Sequence, residues 1–268
     1  MRLEHYIVDA FVCGPFTGNP AAVTPLEYWL DDDIMQAIAA ENNLSETAFF
    51  VRTAHDAYDL RWFTPTVEID LCGHATLASA HVLIAELDSA PDEQLSFATR
   101  SGELRVALEA DLYAMTLPAI TPRPLGGNER LLSALGAGEA EVFSASGAGD
   151  VIVVFDGEAT VRSIDPDLRA LAAVSGPGVC VTAPADEFDY VTRLFAPNVG
   201  IDEDPATGSA QCGLAPYWGL RLGKSELSCF QASARGAELG ARWAAGDDHV
   251  TVLGRCRTFV RGQIELPS

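Results

Sequence analysis

Arg61-Trp62-Phe63-Thr64-Pro65 is answered 132 residues later by Arg193-Leu194-Phe195-Ala196-Pro197. At the same offset Ile69-Asp70 falls on Ile201-Asp202, Cys72 on Asp204 and Ala78 on Ala210. Each copy reads as a strand ending in Phe-x-Pro, an acidic loop, a turn of small residues and then an apolar helix. The helical stretches are His74 to Glu86 and Ala206 to Leu220, the second with Pro216 as an expected kink. A helix that is apolar all round is buried on every side. The pattern predicts an α+β protein of two pseudo-symmetric halves. Each half is a curved, mostly antiparallel sheet around one central buried helix. Chance similarity of two strand–loop–helix units is the alternative, which several identities at one offset disfavour.

Around this repeat the chain reads as short elements. His5 to Phe11, Glu46 to Val51 and Tyr58 to Phe63 are strand patterns, and Gly14 to Pro20 is turn chemistry. Asp31 to Asn42 is a helix pattern, with Asp31, Asp32 and Asp33 at the positive end of its dipole. Leu95–Thr99, Leu104–Leu108 and Leu112–Leu117 follow as strands joined by short polar connections. Pro118 to Asn128 is rich in Pro and Gly and reads as a linker. The expected halves are therefore residues 1–118 and 119–268, with residues 258–268 a candidate return to the first half. In the second half, helices are expected near Glu129–Leu135 and Asp167–Ala173. Strands are expected at Ala140–Ser144, Val151–Asp156, Val179–Thr182, Tyr190–Phe195, Leu227–Gln231, His249–Leu253 and Thr258–Leu266.

The chain has 268 residues, 48% of them hydrophobic and 21% charged, which is globular composition. The formal charge is −21 and the pI about 4.4. Such a field repels a phosphate backbone and an anionic membrane surface, so neither nucleic acid nor membrane is an expected partner. No signal peptide or run of about 20 apolar residues is visible. Six cysteines are scattered without a CxxC pair, so a cytoplasmic protein with free thiols is expected.

Several residues could carry chemistry. The turns Asp70-Leu71-Cys72-Gly73-His74 and Asp204-Pro205-Ala206-Thr207-Gly208-Ser209 open the two buried helices. Helix starts of this kind bind carboxylates through free N–H groups. Two of them related by a repeat could face one cleft. Ordinary capping by Asp204 and tight packing at Gly73 is the structural alternative. Glu46 stands beside an apolar strand and is a candidate proton carrier, although this segment alone favours an ordinary polar residue at a strand edge. His74 is the first polar residue of an apolar helix, fit to hydrogen-bond at its start. His81 reads as structural, and His5, His55 and His249 lie in exposed-looking contexts. No P-loop, GxGxxG, nucleophile elbow or dense metal-ligand spacing is present. One copy carries Cys72 where the other carries Asp204, so a symmetric two-thiol racemase is not available at these positions.

Taken together and in order, certain motifs are similar to those of the PhzF family of phenazine-biosynthesis-like isomerases. They are Val8-Asp9-Ala10-Phe11, Gly18-Asn19-Pro20-Ala21, Leu44-Ser45-Glu46-Thr47-Ala48-Phe49, Arg61-Trp62-Phe63-Thr64-Pro65, Cys72-Gly73-His74-Ala75-Thr76 and Phe195 through Ala210. The resemblance implies a diaminopimelate-epimerase-like fold, a cofactor-free enzyme without a metal, and a homodimer. It implies a reaction in which a proton moves between carbons of a small carboxylate-bearing substrate. The best-understood member isomerises trans-2,3-dihydro-3-hydroxyanthranilate. Carried over residue by residue, the catalytic groups are Glu46, His74 and Asp204. Ser45, Gly73, Gly208 and Ser209 line the substrate site, and Cys72 is a further candidate. Two other readings stay open: an amino-acid epimerase using Cys72 as a base, and a non-catalytic binding or scaffold protein.

Overall fold

The computed structural model describes residues 1–89, 94–144, 150–174 and 176–266. The chain divides into two compact units, Met1–Thr116 with Leu253–Ser268, and Leu117–Val252.

In the first unit β1 (Arg2–Ala10) and β2 (Asn19–Leu26) pair antiparallel. Helix α1 (Asp32–Asn42) then carries the chain over to β3 (Glu46–Ala54), which runs parallel to β2. Strand β4 (Ala57–Phe63) turns back on β3, and β5 (Glu68–Ile69) turns back on β4. Helix α2 (Gly73–His81) follows, continued by one π-helical turn over Val82–Glu86. It leads to β6 (Leu95–Thr99), parallel to β4, and to the antiparallel strands β7 (Gly102–Glu109) and β8 (Leu112–Pro118).

The second unit repeats that order. After β9 (Arg123–Pro124) and α3 (Glu129–Ala134), β10 (Glu141–Ser144) and β11 (Val151–Val154) pair antiparallel. Helices α4 (Glu158–Ser163) and α5 (Leu168–Val174) lead to β12 (Val179–Pro184), parallel to β11. Strand β13 (Tyr190–Ala196) is antiparallel to β12, and β14 (Ile201–Asp204) turns back on β13. Helix α6 (Gln211–Leu222) then leads to β15 (Glu226–Gln231), parallel to β13. Strands β16 (Ala237–Arg242) and β17 (His249–Gly254) complete the repeat. Finally β18 (Cys256–Glu265) pairs antiparallel with β1 along Arg2–Ala10, so the chain's end belongs to the first unit.

Both units thus have a surface-helix crossover, a buried-helix crossover and otherwise antiparallel pairing. The α+β class and the repeated halves are as expected from the sequence.

The repeated Arg-x-Phe has a physical cause. Two residues apart on a strand, the side chains share a face. The Arg61 guanidinium lies 5.2 Å from the Phe63 ring centroid, and Arg193 lies 4.9 Å from that of Phe195. Each also forks a carboxylate from the short strand that follows, β5 or β14. Arg61 donates to both oxygens of Glu68 at 2.7 and 2.8 Å, and Arg193 to both oxygens of Glu203 at 2.7 and 3.0 Å. Arg193 adds a 2.6 Å bond to the Ile164 carbonyl. Arg193→Lys removes the planar fork and the stacking while keeping the charge. It is expected to cost about 1–2 kcal/mol. A urea midpoint unchanged from wild type would show that the fork contributes nothing.

The buried helices differ in how they satisfy polar groups. In α2, the hydroxyl of Thr76 donates to the Cys72 carbonyl at 2.6 Å, and that of Ser79 to the Ala75 carbonyl at 2.8 Å. Every residue from Gly73 to Ala80 is buried, and α2 packs against β1, β2, β3 and β18. In α6, Pro216 has no N–H to give the Cys212 carbonyl four residues back. The Ile120 N–H takes that carbonyl instead, at 2.8 Å. The helix begins at Gln211 rather than at the expected Ala206. The segment before it is held elsewhere: the Thr207 N–H donates to the Gln231 side chain at 2.8 Å.

His5 is buried, not exposed as its sequence context suggested. Strand β18 covers β1, and the His5 ring meets the Thr24 hydroxyl at 2.9 Å. His81 is structural: Nδ1 meets the Tyr113 hydroxyl at 2.8 Å and Nε2 meets that of Thr258 at 2.9 Å.

Candidate active site

Within the first unit three elements bring side chains to one buried point. Strand β3 begins at Glu46, paired with Ala21 of β2. Cys72 caps α2 in extended conformation, and His74 lies in the first turn of that helix. Asn19 opens β2 beyond the turn at Gly18. The His74 Nε2 lies 3.1 Å from Glu46 Oε2, with side chains only 6% and 7% exposed. Although close, those two atoms do not form an aligned hydrogen bond, and neither has another partner among the described residues. The opposite face of the ring is occupied: Nδ1 lies 3.2 Å from Asn19 Nδ2 and 3.5 Å from Cys72 Sγ.

The electrostatics follow from this packing. Burial opposes charging His74, but the Cys72 and Glu46 groups beside it outweigh burial, so its pKa stands well above the usual imidazole value. Burial and the Glu46 charge push the Cys72 thiol upward, against the opposing pull of His74 beside it. An imidazole between a carboxylate and a thiol can take a proton at one nitrogen and give one at the other. Glu46, Cys72 and His74 also offer ligand atoms within 4.8 Å of one another, a grouping hidden by their spacing in sequence. A metal binds one ring nitrogen along its lone pair. Here the carboxylate faces Nε2 and the thiol faces Nδ1, which suits proton traffic through the ring better than shared chelation.

His5 and His81 shift the other way, because burial disfavours their charged forms. Unfolding lets them take up protons. Stability is therefore intact above the ordinary value of 6.5 and falls as pH drops below it. His74, raised in the fold, acts with the opposite sign: its contribution is full below 6.5 and is lost as pH rises above that value towards its folded pKa. In urea unfolding compared between pH 7.5 and 5.5, His5→Gln is expected to lessen the loss relative to wild type, the opposing His74 contribution being common to both. Equal losses with and without His5 would refute this assignment.

In the second unit Asp204 ends β14 opposite Leu194 and is buried. The Thr207 hydroxyl donates to Asp204 Oδ2. Gln231, wholly buried on β15, spans the same turn. Its Nε2 donates to the Asp204 carbonyl at 2.7 Å and its Oε1 accepts from the Thr207 N–H. Gly208 is buried and Ser209 half-buried in the turn that opens α6, where their carbonyls accept from Gln211 and Cys212 at 3.1 Å. Of the residues expected at the site, Glu46, His74 and Cys72 come together in the first unit, with Ser45 and Gly73 as their chain neighbours. Asp204, Gly208 and Ser209 come together in the second.

A family model for phenazine biosynthesis-like proteins, PhzC-PhzF, matches residues 8–262. The chain belongs to that family. An uncharacterized isomerase of Pseudomonas aeruginosa is 51% identical to it over 266 residues, spanning 99% of this chain and 100% of that one. The crystal structure of a PhzF-family protein of Enterococcus faecalis superposes with a TM-score of 0.93 at 44% identity, covering 99% of this chain and 100% of that one. A probable proline racemase of Agrobacterium radiobacter shares the fold at a TM-score of 0.64 and 13% identity, covering 99% of this chain and 93% of that one. Among the described residues of this PhzF-family chain, no helix is long and apolar enough to cross a membrane.

Sequence reasoning gave no role to Asn19 or Gln231. Asn19 sits in a Gly-Asn-Pro turn signal, where an amide ordinarily serves the turn itself. Gln231 ends an unremarkable strand. Nothing local in either segment signals a buried partner far away in the chain.

Proposed function

We propose that this PhzF-family protein is a cofactor-independent isomerase that moves a proton between carbons of a small carboxylate-bearing substrate. Glu46 removes the proton from a carbon activated by conjugation and returns it to another. His74 orients Glu46 and shares its proton. The family pattern assigns Asp204 to the same reaction, and assigns the substrate carboxylate to Ser45, Gly73, Gly208 and Ser209. The observation that carries this reading is the Glu46–His74 contact: 3.1 Å apart, buried, and without an aligned hydrogen bond to satisfy either atom. Buried polar atoms are nearly always satisfied, and exceptions concentrate where a ligand completes them. Burial also keeps the abstracted proton from bulk water, which a single base needs if it is to return it.

The test is proton exchange in D₂O with dihydro-hydroxyanthranilate and a panel of small carboxylic and amino acids. Isomer formation with partial deuterium uptake is expected for at least one conjugated carboxylate. Exchange at the α-carbon of an amino acid, abolished by Cys72→Ser, would replace this reading with epimerisation. No exchange with any compound by the folded protein would count against catalysis.

A further inference from the structure

We propose that Asn19 is a positioning residue that lets His74 change protonation state beside Glu46, by presenting either a donor or an acceptor to the ring. The inference rests on the proton-transfer reading above.

Asn19 is fully buried, and its amide lies 3.2 Å from His74 Nδ1. Three groups face the ring among the described residues: Glu46 from β3 at Nε2, and Cys72 from the start of α2 and Asn19 from β2 at Nδ1. A neutral ring serving Glu46 carries its proton on Nε2, so Nδ1 needs a donor. An imidazolium carries protons on both nitrogens, so Nδ1 needs an acceptor. A carboxamide supplies both on one planar group, exchanged by a half-turn about its last torsion. Aspartate would serve only the charged ring, and leucine neither. The Cys72 thiol, a weak donor and a weak acceptor at 3.5 Å, leaves both roles chiefly to the amide. A ring that must gain and lose a proton in each cycle therefore has in Asn19 a partner for both states.

Backbone geometry aims the amide. Gly18 precedes Asn19 at φ +80°, and a Cβ placed there would lie 2.3 Å from the Ala10 carbonyl oxygen. The turn can approach β1 this closely only because residue 18 has no side chain.

The experiment is a ¹⁵N NMR titration of histidine-labelled protein, which needs no substrate. In wild type, neutral His74 is expected as the Nε2–H tautomer; finding it as Nδ1–H overturns the proposal without any variant. Asn19→Asp, of the same shape, is expected to raise the His74 midpoint by about 1–3 pH units. Asn19→Leu is expected to lower it, and Asn19→Ser, which keeps a donor and an acceptor, to lie closer to wild type. Identical midpoints in folded wild type, Asn19→Asp and Asn19→Leu refute the role of Asn19. Wherever D₂O exchange supplies a substrate, the pH profile of kcat should shift with the midpoint. If NMR shifts as expected and wild type exchanges no proton in any compound, the isomerase reading fails and the pairing stands. If wild type exchanges and the NMR is unmoved, the reverse holds.

Discussion

Glu46→Gln is expected to slow proton transfer by about 10²–10⁴-fold, the range that a positioned general base contributes. The amide has the volume of the carboxylate and can still contact His74, so β3 should keep its register against β2 and the fold should remain. What it cannot do is accept a carbon-bound proton. The loss should therefore fall on kcat, with KM changed little, since ground-state contacts to the substrate carboxylate are assigned to other residues. A second effect separates chemistry from packing. The Glu46 carboxylate is one of the groups holding the His74 pKa up. Its removal should leave a buried imidazole with less support for its charge, and the His74 titration should move down. Turnover, circular dichroism and the histidine titration on one preparation check all three. Activity within tenfold of wild type in a folded variant would remove Glu46 from the role of base.

The sequence exposes those parts of this molecule whose causes are local. The Arg-x-Phe repeat is legible because stacking and forked pairing recur at fixed spacing along one strand. The apolar helix α2 is legible because burial on all sides leaves no polar face. The acidic start of α1 and the hairpin connections of β6, β7 and β8 are likewise local. Strand β2 is not legible, since Pro20 and Pro25 argue against an interior strand. The pairing explains how it tolerates them. Pro20 pairs only with Asp9 of β1, because the β3 ladder starts one residue later, at Ala21. Pro25 pairs only with Phe50 of β3, because the β1 ladder ends at Val23. Each proline stands where β2 has one neighbour. Helix α4 is not legible because six residues carry too little periodicity, nor is the start of α6, because Gln231, distant in sequence, captures the Thr207 N–H. The candidate site follows the same division. Glu46, His74 and Asp204 stand out as polar residues in apolar or small-residue segments, but their roles come from the family resemblance, while Asn19 gains its meaning only when β2 and α2 meet.

Gly18→Ala should be the most destabilising single-methyl change near the site. Two costs add. The left-handed backbone at φ +80° penalises an L side chain by about 1–2 kcal/mol. The new Cβ would meet the Ala10 carbonyl at 2.3 Å, and relieving so hard a backbone contact in a packed core typically costs about 1–3 kcal/mol. A combined loss of about 2–5 kcal/mol is expected in urea unfolding. The neighbouring Gly14 serves as the control, since a Cβ there meets nothing within 4 Å and its φ is not positive. Gly14→Ala should leave the midpoint nearly unchanged. The chemistry should respond as well, because the backbone shift that relieves the contact moves Asn19, the next residue. An amide displaced by a few tenths of an ångström weakens its bond to Nδ1, and His74 then faces Glu46 with one side of its ring poorly supported. Gly18→Ala is thus expected to lower kcat in the surviving folded fraction and to move the His74 titration in the direction of Asn19→Leu. A midpoint within about 0.5 kcal/mol of wild type, the range of neutral surface changes, would mean that the turn can yield. The close approach of Gly18 to β1 would then not be what holds Asn19 against the histidine.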